Sequence, residues 1–156
     1  MLCTCTVPKE HFPETPALTF ASFSRQTVER LDTFTITMDF TDGDGDIGVS
    51  SGSVPRNDTI CVTPDSVIIT NPGFNLFYRD LRDSCIQFTQ TAYYAPAKGK
   101  EAIRGQIVVT ITAACKKVCS SQPCTDTAYY EFLLRDRAWH YSNWVKTPGI
   151  AVTGCQ

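Results

Sequence analysis

Several features that mark other protein classes are missing from this sequence. It has no run of 18 apolar residues, so we expect no membrane-spanning helix. It has no cluster of Lys and Arg, and its net charge is −2, which argues against nucleic acid as the main partner. It has no Cys-x2-Cys pair and only two histidines, which disfavours a zinc site. No stretch combines a helical period with capping residues, so the chain is expected to be all-β.

Alternating apolar residues predict a domain built from short strands. The 156-residue chain is about the length of one domain. Its clearest pattern is LDTFTITMDF, where every second residue is apolar. Strands are predicted at Ala17–Phe23, Leu31–Phe40, Ser66–Thr70, Phe74–Tyr78, Cys85–Thr91, Arg104–Ala114, Asp126–Asp136 and Gly149–Thr153. Seven or eight strands joined by Gly, Pro, Asn and Asp turns favour an antiparallel sandwich, with a partly open barrel as the alternative.

The cysteine content is high for a domain of this size. Eight cysteines occur, and disulfides explain them better than zinc or free thiols, which places the chain in an oxidising compartment. Pairing cannot be read from sequence. We predict a local bridge within the group Cys115, Cys119 and Cys124, one bridge to Cys155, and a bridge between Cys61 and Cys85.

The first 17 residues are predicted to form a tether, and residues 18–156 the sandwich domain. The segment from Thr6 to Ala17 is polar and contains three prolines, as extended linkers do. Before it, Leu2-Cys3-Thr4-Cys5 resembles a lipobox in which Cys5 would carry the lipid. The apolar segment that precedes a lipobox is not seen, so either Met1 is an internal start or the match is chance. The alternative is a flexible terminus with two exposed cysteines.

Three aspartates alternate with glycines in DFTDGDGDIG, directly after the predicted strand Leu31–Phe40. Like charges this close are unfavourable unless a cation or water screens them. Calcium takes six to eight oxygen ligands, and alternate carboxylates on a glycine-rich loop can converge on one ion. Asp42, Asp44 and Asp46 are therefore predicted to bind Ca2+ as positions 1, 3 and 5 of a loop.

The loop is not an EF-hand, because positions 6 and 12 are Ile47 and Ser53 rather than Gly and Glu. A distant residue should then complete the site, and Asp136 is the candidate because it too ends a strand. Asp39 is a second candidate, although its strand phase directs it outward. A solvated Asp/Gly turn and a different hard cation remain alternatives.

Several phrases together resemble a family of small surface lipoproteins of Bacteroidetes-type bacteria. They are MDFTDGDGDIG, FNLFYRD, IRGQIVVTIT and TDTAYYEFLLRDRAWHYSNWVKTPGI, and they span roughly Phe34 to Ile150. The resemblance implies an immunoglobulin-like β-sandwich on an N-terminal lipid anchor, exported to the outer membrane, at the cell surface or on its periplasmic face. It implies no catalytic residue. The cysteines and the segment Trp139-His140-Tyr141 depart from the family pattern.

Two functions follow as hypotheses, neither of them enzymatic. The first is a surface-anchored accessory or interaction subunit, which docks on an outer-membrane transport or secretion protein. The second is a glycan-binding module that uses aromatic residues in loops, because these bring large rigid contact area at low entropic cost. The candidate aromatics are Tyr93, Tyr94, Trp139 and Trp144, although a tryptophan in this stretch could equally be core. His140 is expected to be a surface or packing residue.

Overall fold

The chain folds into strands and loops throughout its described part. The computed structural model describes residues 11–49, 58–61, 73–83, 85–95, 99–117, 120 and 124–155, and for residues 58–61 it describes the backbone alone. These ranges contain no helix. Their strands are β1 (Ala17–Phe23), β2 (Thr27–Glu29), β3 (Thr33–Asp42), β4 (Asp58–Cys61), β5 (Leu76–Asp80), β6 (Cys85–Thr89), β7 (Ile103–Thr112), β8 (Cys124–Ala128), β9 (Tyr130–Leu134), β10 (Val145–Lys146) and β11 (Ile150–Cys155).

The strands form sheets that pack as a sandwich. One sheet has the order β1-β3-β7, a five-stranded sheet has the order β10-β9-β5-β6-β4, and a small sheet has the order β2-β11-β8. Among these described pairs, all are antiparallel except β2 with β11. The predicted all-β sandwich is confirmed.

The core follows from the alternation in the sequence. In β3, Phe34, Ile36 and Met38 are buried, while the threonines between them face outward or lie partly exposed. The facing strand β9 contributes the fully buried Phe132 and Leu134. Burying one such side chain stabilises the fold by about 1.5–3 kcal/mol, so the alternating residues supply much of the driving force for folding.

The strand boundaries differ from the predicted ones in two respects. The predicted strand Asp126–Asp136 is divided at Tyr129 into β8 and β9, which belong to different sheets. The alternation is nevertheless kept across the division, because Ala128 and Tyr130 on either side of it are both buried. The short strands β2, β4 and β10 were not predicted, since two to four residues carry too little periodicity to detect. The predicted strand Ser66–Thr70 lies outside the described residues.

One predicted disulfide is present in full. Cys115, just after β7, is bonded to Cys155 at the end of β11, which joins two sheets. Cys85 and Cys124 are also disulfide-bonded. Cys61 lies opposite Cys85 in the register of β4 and β6, which fits the predicted pair. The side chain of Cys61 is not described, and Cys5 and Cys119 lie outside the described residues, so the Cys61 pairing, the local bridge and the lipid anchor stay predictions.

The end of the predicted tether packs against the domain. Pro16 is fully buried, and the backbone of Phe12 and Pro13 lies directly over Gly43, where a Cβ would be 2.3 Å from the Phe12 carbonyl oxygen. The next strand is held by Asn143, whose side chain accepts the Leu18 N–H at 3.1 Å and donates to the Leu18 carbonyl at 3.0 Å. The contact of Phe12 and Pro13 with Gly43 therefore places the segment before β1 next to the aspartate loop.

Candidate metal centre

The aspartate loop begins where β3 ends. Asp42 is the last residue of β3 and is fully buried, and Asp44 is 7% exposed. Gly45 and Gly48 have φ values of 72° and 90°, a left-handed conformation that glycine adopts without steric cost. The backbone N–H of Asp46 donates to Asp42 Oδ2 at 3.0 Å. The glycines therefore let the loop fold back so that its alternate carboxylates face inward.

A fourth carboxylate comes from the turn after β9. The Asp136 side chain is completely buried. This turn interlocks with the loop, because Ala138 N–H donates to Asp46 Oδ2 at 3.0 Å and Arg137 N–H donates to the Asp46 carbonyl at 3.1 Å. Asp42, Asp46 and Asp136 each have a carboxylate oxygen within 4.8 Å of the others. The prediction that Asp136 lies with the loop is supported by this geometry.

Three carboxylate oxygens at this site are buried without a hydrogen bond. They are Oδ1 of Asp42, Asp44 and Asp46, and no donor among the described residues reaches them. A buried polar atom without a partner costs about 1–3 kcal/mol, and more when it is charged. Three such oxygens within one short loop are unusual for a turn that only connects strands, since native proteins satisfy most buried polar atoms. A cation bound among them would supply the missing partner.

The raised pKa values of two loop aspartates also indicate a site that lacks a compensating positive charge. The pKa of Asp42 is raised from 3.8 to about 6, mainly by burial and also by the charges of Asp44, Asp46 and Asp136, which together outweigh the lowering effect of the Asp46 N–H. The pKa of Asp46 is also raised, first by burial and then by Asp136 and Asp44. Both shifts report a negative charge that is poorly compensated. A divalent cation would reverse them by favouring the ionised carboxylates.

Two cationic side chains lie at the edge of the cluster. Lys100 Nζ is 3.3 Å from Asp44 Oδ2 and 2.7 Å from Glu14 Oε1, and its side chain is 68% exposed. Arg137 Nη1 instead donates to the carbonyl oxygens of Ile47 and Tyr94, at 2.9 and 3.1 Å. Asp44 is therefore paired with Lys100 through Oδ2, whereas its Oδ1 is buried without a hydrogen-bond partner.

His140 is a surface residue, as predicted, and it also contacts this site. Its Nδ1 is 2.8 Å from Asp136 Oδ2, and its backbone N–H donates to Asp136 Oδ1 at 2.7 Å. The hydrogen bond and the charge of Asp136 raise the pKa of His140. The side chain is 44% exposed, so it orients Asp136 from the solvent side. Its position four residues after Asp136 in a turn was the available sequence signal.

Asp42, Asp46 and Asp136 come together as predicted. Asp44 is buried near them but lies outside the group whose carboxylate oxygens are within 4.8 Å of one another. Asp39 does not join them either, because it is exposed on the outer face of β3 and its Oδ1 accepts a hydrogen bond from Gln106 at 2.8 Å. The three grouped carboxylates can supply at least three oxygen ligands, and calcium completes its shell with further carboxylate or carbonyl oxygens and water. The donor set, all oxygen and mostly charged, suits a hard divalent cation rather than zinc or copper.

The four candidate aromatics are all on the surface, but they do not form one patch. Their exposures run from 41% to 48%, for Tyr93, Tyr94, Trp139 and Trp144. Trp139 has a φ of 71° and lies against the Arg135 guanidinium at 4.0 Å, while Trp144 lies 5.3 Å from the guanidinium of Arg79. Tyr93 and Tyr94 line a separate cavity. The reading of the tryptophans as core residues is therefore wrong.

Comparison of the chain with protein-family models, with curated proteins and with solved structures finds no match. In the part of the chain that the structure describes, no helix is long and apolar enough to cross a membrane. The lipoprotein resemblance remains an expectation.

Proposed function

We propose that this protein is a calcium-binding β-sandwich module with a non-catalytic role. The observation that carries the proposal is the group of three buried carboxylate oxygens without partners, on Asp42, Asp44 and Asp46. The buried Asp136 from a second loop has a carboxylate oxygen within 4.8 Å of oxygens of Asp42 and Asp46. Calcium is favoured over magnesium because a loop-and-turn site with irregular geometry tolerates the longer, more variable bonds of calcium.

Calcium titration by calorimetry, with thermal melts in calcium and in chelator, tests this proposal. Extracellular calcium modules bind with Kd values of about 0.1–1 mM, so 10 mM calcium at a Kd of about 0.1 mM stabilises by about 2.7 kcal/mol. For a domain of this size, the melting temperature should rise by about 5–10 °C. Asp136→Asn should abolish the rise, whereas Asp39→Asn, on the outer face of β3, should keep it.

A melting temperature that is the same in 10 mM calcium and in chelator, together with no heat of binding, would refute the calcium site. The loop would then be a solvated turn. A rise that persists in Asp136→Asn would place the ion elsewhere. A larger effect of magnesium than of calcium would leave a hard-cation site but reassign the ion.

We further propose that the module is exported, attached to the outer membrane by a lipid on Cys5, and serves as an accessory subunit of a surface complex. The disulfide between Cys115 and Cys155 supports an oxidising location, and a calcium site of extracellular affinity would fit it. The exposed aromatics offer contact surface for a protein partner.

Two measurements test this second proposal. Intact-mass analysis of protein from detergent extracts of its native host should show a lipid on Cys5, and pull-down from the same extract should recover a membrane protein. An unlipidated chain that is recovered only as an isolated monomer contradicts both parts. Pull-down with Trp139→Ala and Trp144→Ala variants then shows whether those aromatics contact the partner.

A further inference from the structure

A cavity of about 530 Å³ opens between the start of β7 and the segment that contains Tyr93 and Tyr94. Its volume is within the range of small-ligand sites. It lies beside the metal centre, because Ile47 of the aspartate loop forms part of its lining. Two further cavities, of about 440 and 300 Å³, follow along β7 and share residues of that strand. Together they form a groove along β7, with Tyr93 and Tyr94 at one end and Tyr78 lining both further cavities.

An aromatic ring and a glycine form one side of the first cavity. Phe40 in β3 is the register partner of Gly105 in β7. A Cβ at position 105 would lie 2.9 Å from Phe40 Cε1, so the ring lies close against the bare glycine backbone. Glycine at this position therefore lets an aromatic surface line the cavity where another residue would displace it.

The opposite side is held in place by backbone contacts. The Tyr94 N–H donates to the Ile47 carbonyl at 3.2 Å, and Arg137 donates to the carbonyls of both residues. The Arg137 guanidinium also lies 4.7 Å from the centre of the Tyr93 ring. The two tyrosines remain 48% and 41% exposed. The cavity is thus formed before any ligand arrives, which lowers the entropic cost of binding.

We propose that this cavity binds the terminal sugar ring of a glycan, with the following rings along β7. A sugar ring has apolar C–H faces, which pack on aromatic rings, and hydroxyl groups at its edge, which need polar partners. The cavity offers both, because Phe40, Tyr93 and Tyr94 share its lining with Thr91 and Gln106. The linear series of cavities fits a chain-like ligand, because both further cavities have a more polar lining than the first and share Tyr78 as an aromatic surface.

An array of neutral and uronic-acid-containing oligosaccharides, probed in calcium, tests the proposal. The oligosaccharide with the strongest signal is then titrated by calorimetry into wild type and variants. Tyr94→Ala should weaken binding about tenfold or more, which corresponds to about 1.4 kcal/mol or more and is typical of an aromatic residue that dominates a binding site. Trp144→Ala is the control, because it removes an equally exposed aromatic outside the cavity, and it should change the Kd less than about twofold.

Gly105→Ala gives a second test. It leaves every aromatic residue in the chain but changes the cavity, because the new Cβ displaces the Phe40 ring. It should weaken binding while the thermal melt still shows a folded protein. The proposal is overturned if no oligosaccharide on the array binds or if Tyr94→Ala binds as wild type does. It is also overturned if Trp144→Ala loses as much affinity as Tyr94→Ala, or if the groove takes an extended peptide in place of sugar. Calcium-independent sugar binding would support this inference while leaving the metal proposal to its own test.

Discussion

Replacing Asp42 with asparagine should stabilise the metal-free protein and remove its response to calcium. The asparagine keeps the shape of the side chain and can still accept the Asp46 N–H through its amide oxygen. It cannot ionise, so it removes the burial cost that raises the pKa of Asp42 from 3.8 to about 6. That difference corresponds to about 3 kcal/mol, since each pKa unit is worth about 1.4 kcal/mol.

The sign of the pH dependence follows from the raised pKa. The folded state favours the protonated form of Asp42, so the stabilising effect of that proton is complete below pH 3.8 and is lost as the pH rises through about 6. In chelator, wild type should therefore become less stable between pH 5 and pH 7.5, and the raised pKa of Asp46 adds to the same trend. Asp42→Asn should show a much weaker trend. Calcium should stabilise wild type at pH 7.5 and leave the variant unchanged.

Urea denaturation in chelator at pH 5 and pH 7.5 measures these differences. With an m-value of about 2 kcal/mol/M, a gain of 3 kcal/mol moves the midpoint by about 1.5 M. Asp39→Asn is the matched control, because this exposed residue on the same strand should leave both the midpoint and its pH dependence unchanged. Parallel pH profiles for wild type and Asp42→Asn, or a variant that is less stable than wild type at pH 7.5 in chelator, would refute the argument.

Three other changes test the parts of the fold that hold the site. Removing the bridge in Cys115→Ser/Cys155→Ser should lower the free energy of unfolding by about 4 kcal/mol, since the bridge spans a sequence separation of 40 residues. Urea denaturation measures this loss, and a loss below about 1 kcal/mol contradicts the prediction. Gly43→Ala places a Cβ 2.3 Å from the Phe12 carbonyl oxygen and should displace the N-terminal segment from the domain. Limited proteolysis should then cleave that segment faster than in wild type, and equal rates would show that the contact is dispensable. Arg82→Met leaves the nearly buried Asp80 and Asp126 without their shared cation and should lower the free energy of unfolding by about 3 kcal/mol in the same urea assay. An unchanged midpoint would mean that water screens the two carboxylates.

The sequence predicts the fold where one side-chain pattern is long enough to stand out. In β3 and β7 the side chains alternate between core and surface, and the apolar residues at the centre of the pattern are buried as expected: Phe34, Ile36, Met38, Ile107, Val109 and Ile111. The division at Tyr129 was not visible, because the alternation continues unbroken from β8 into β9 while the chain passes from one sheet to another. Periodicity reports which side of a strand is buried, and it carries no information on which strand lies beside it.

The site was predictable to the extent that its charges are close in sequence. Asp42, Asp44 and Asp46 were found from their spacing alone, and Asp136 from its place at the end of a strand. The roles of His140 and of Phe40 were not found, because each depends on a partner that only the folded chain supplies. For His140 the partner is Asp136, and for Phe40 it is the glycine opposite in β7.

The metal centre and the disulfide link the stability of this domain to its surroundings. The carboxylates carry a cost in the metal-free protein that grows with pH, since Asp42 must ionise while buried. Calcium bound at the proposed site would remove that cost, and an oxidising environment preserves the bridge between Cys115 and Cys155. A reducing, calcium-poor compartment removes both contributions, which together amount to several kcal/mol out of the 5–15 kcal/mol typical of a domain. The folded state is therefore expected to be most stable outside the cytoplasm, and this dependence, rather than any sequence motif, is the physical argument for proposing an exported protein.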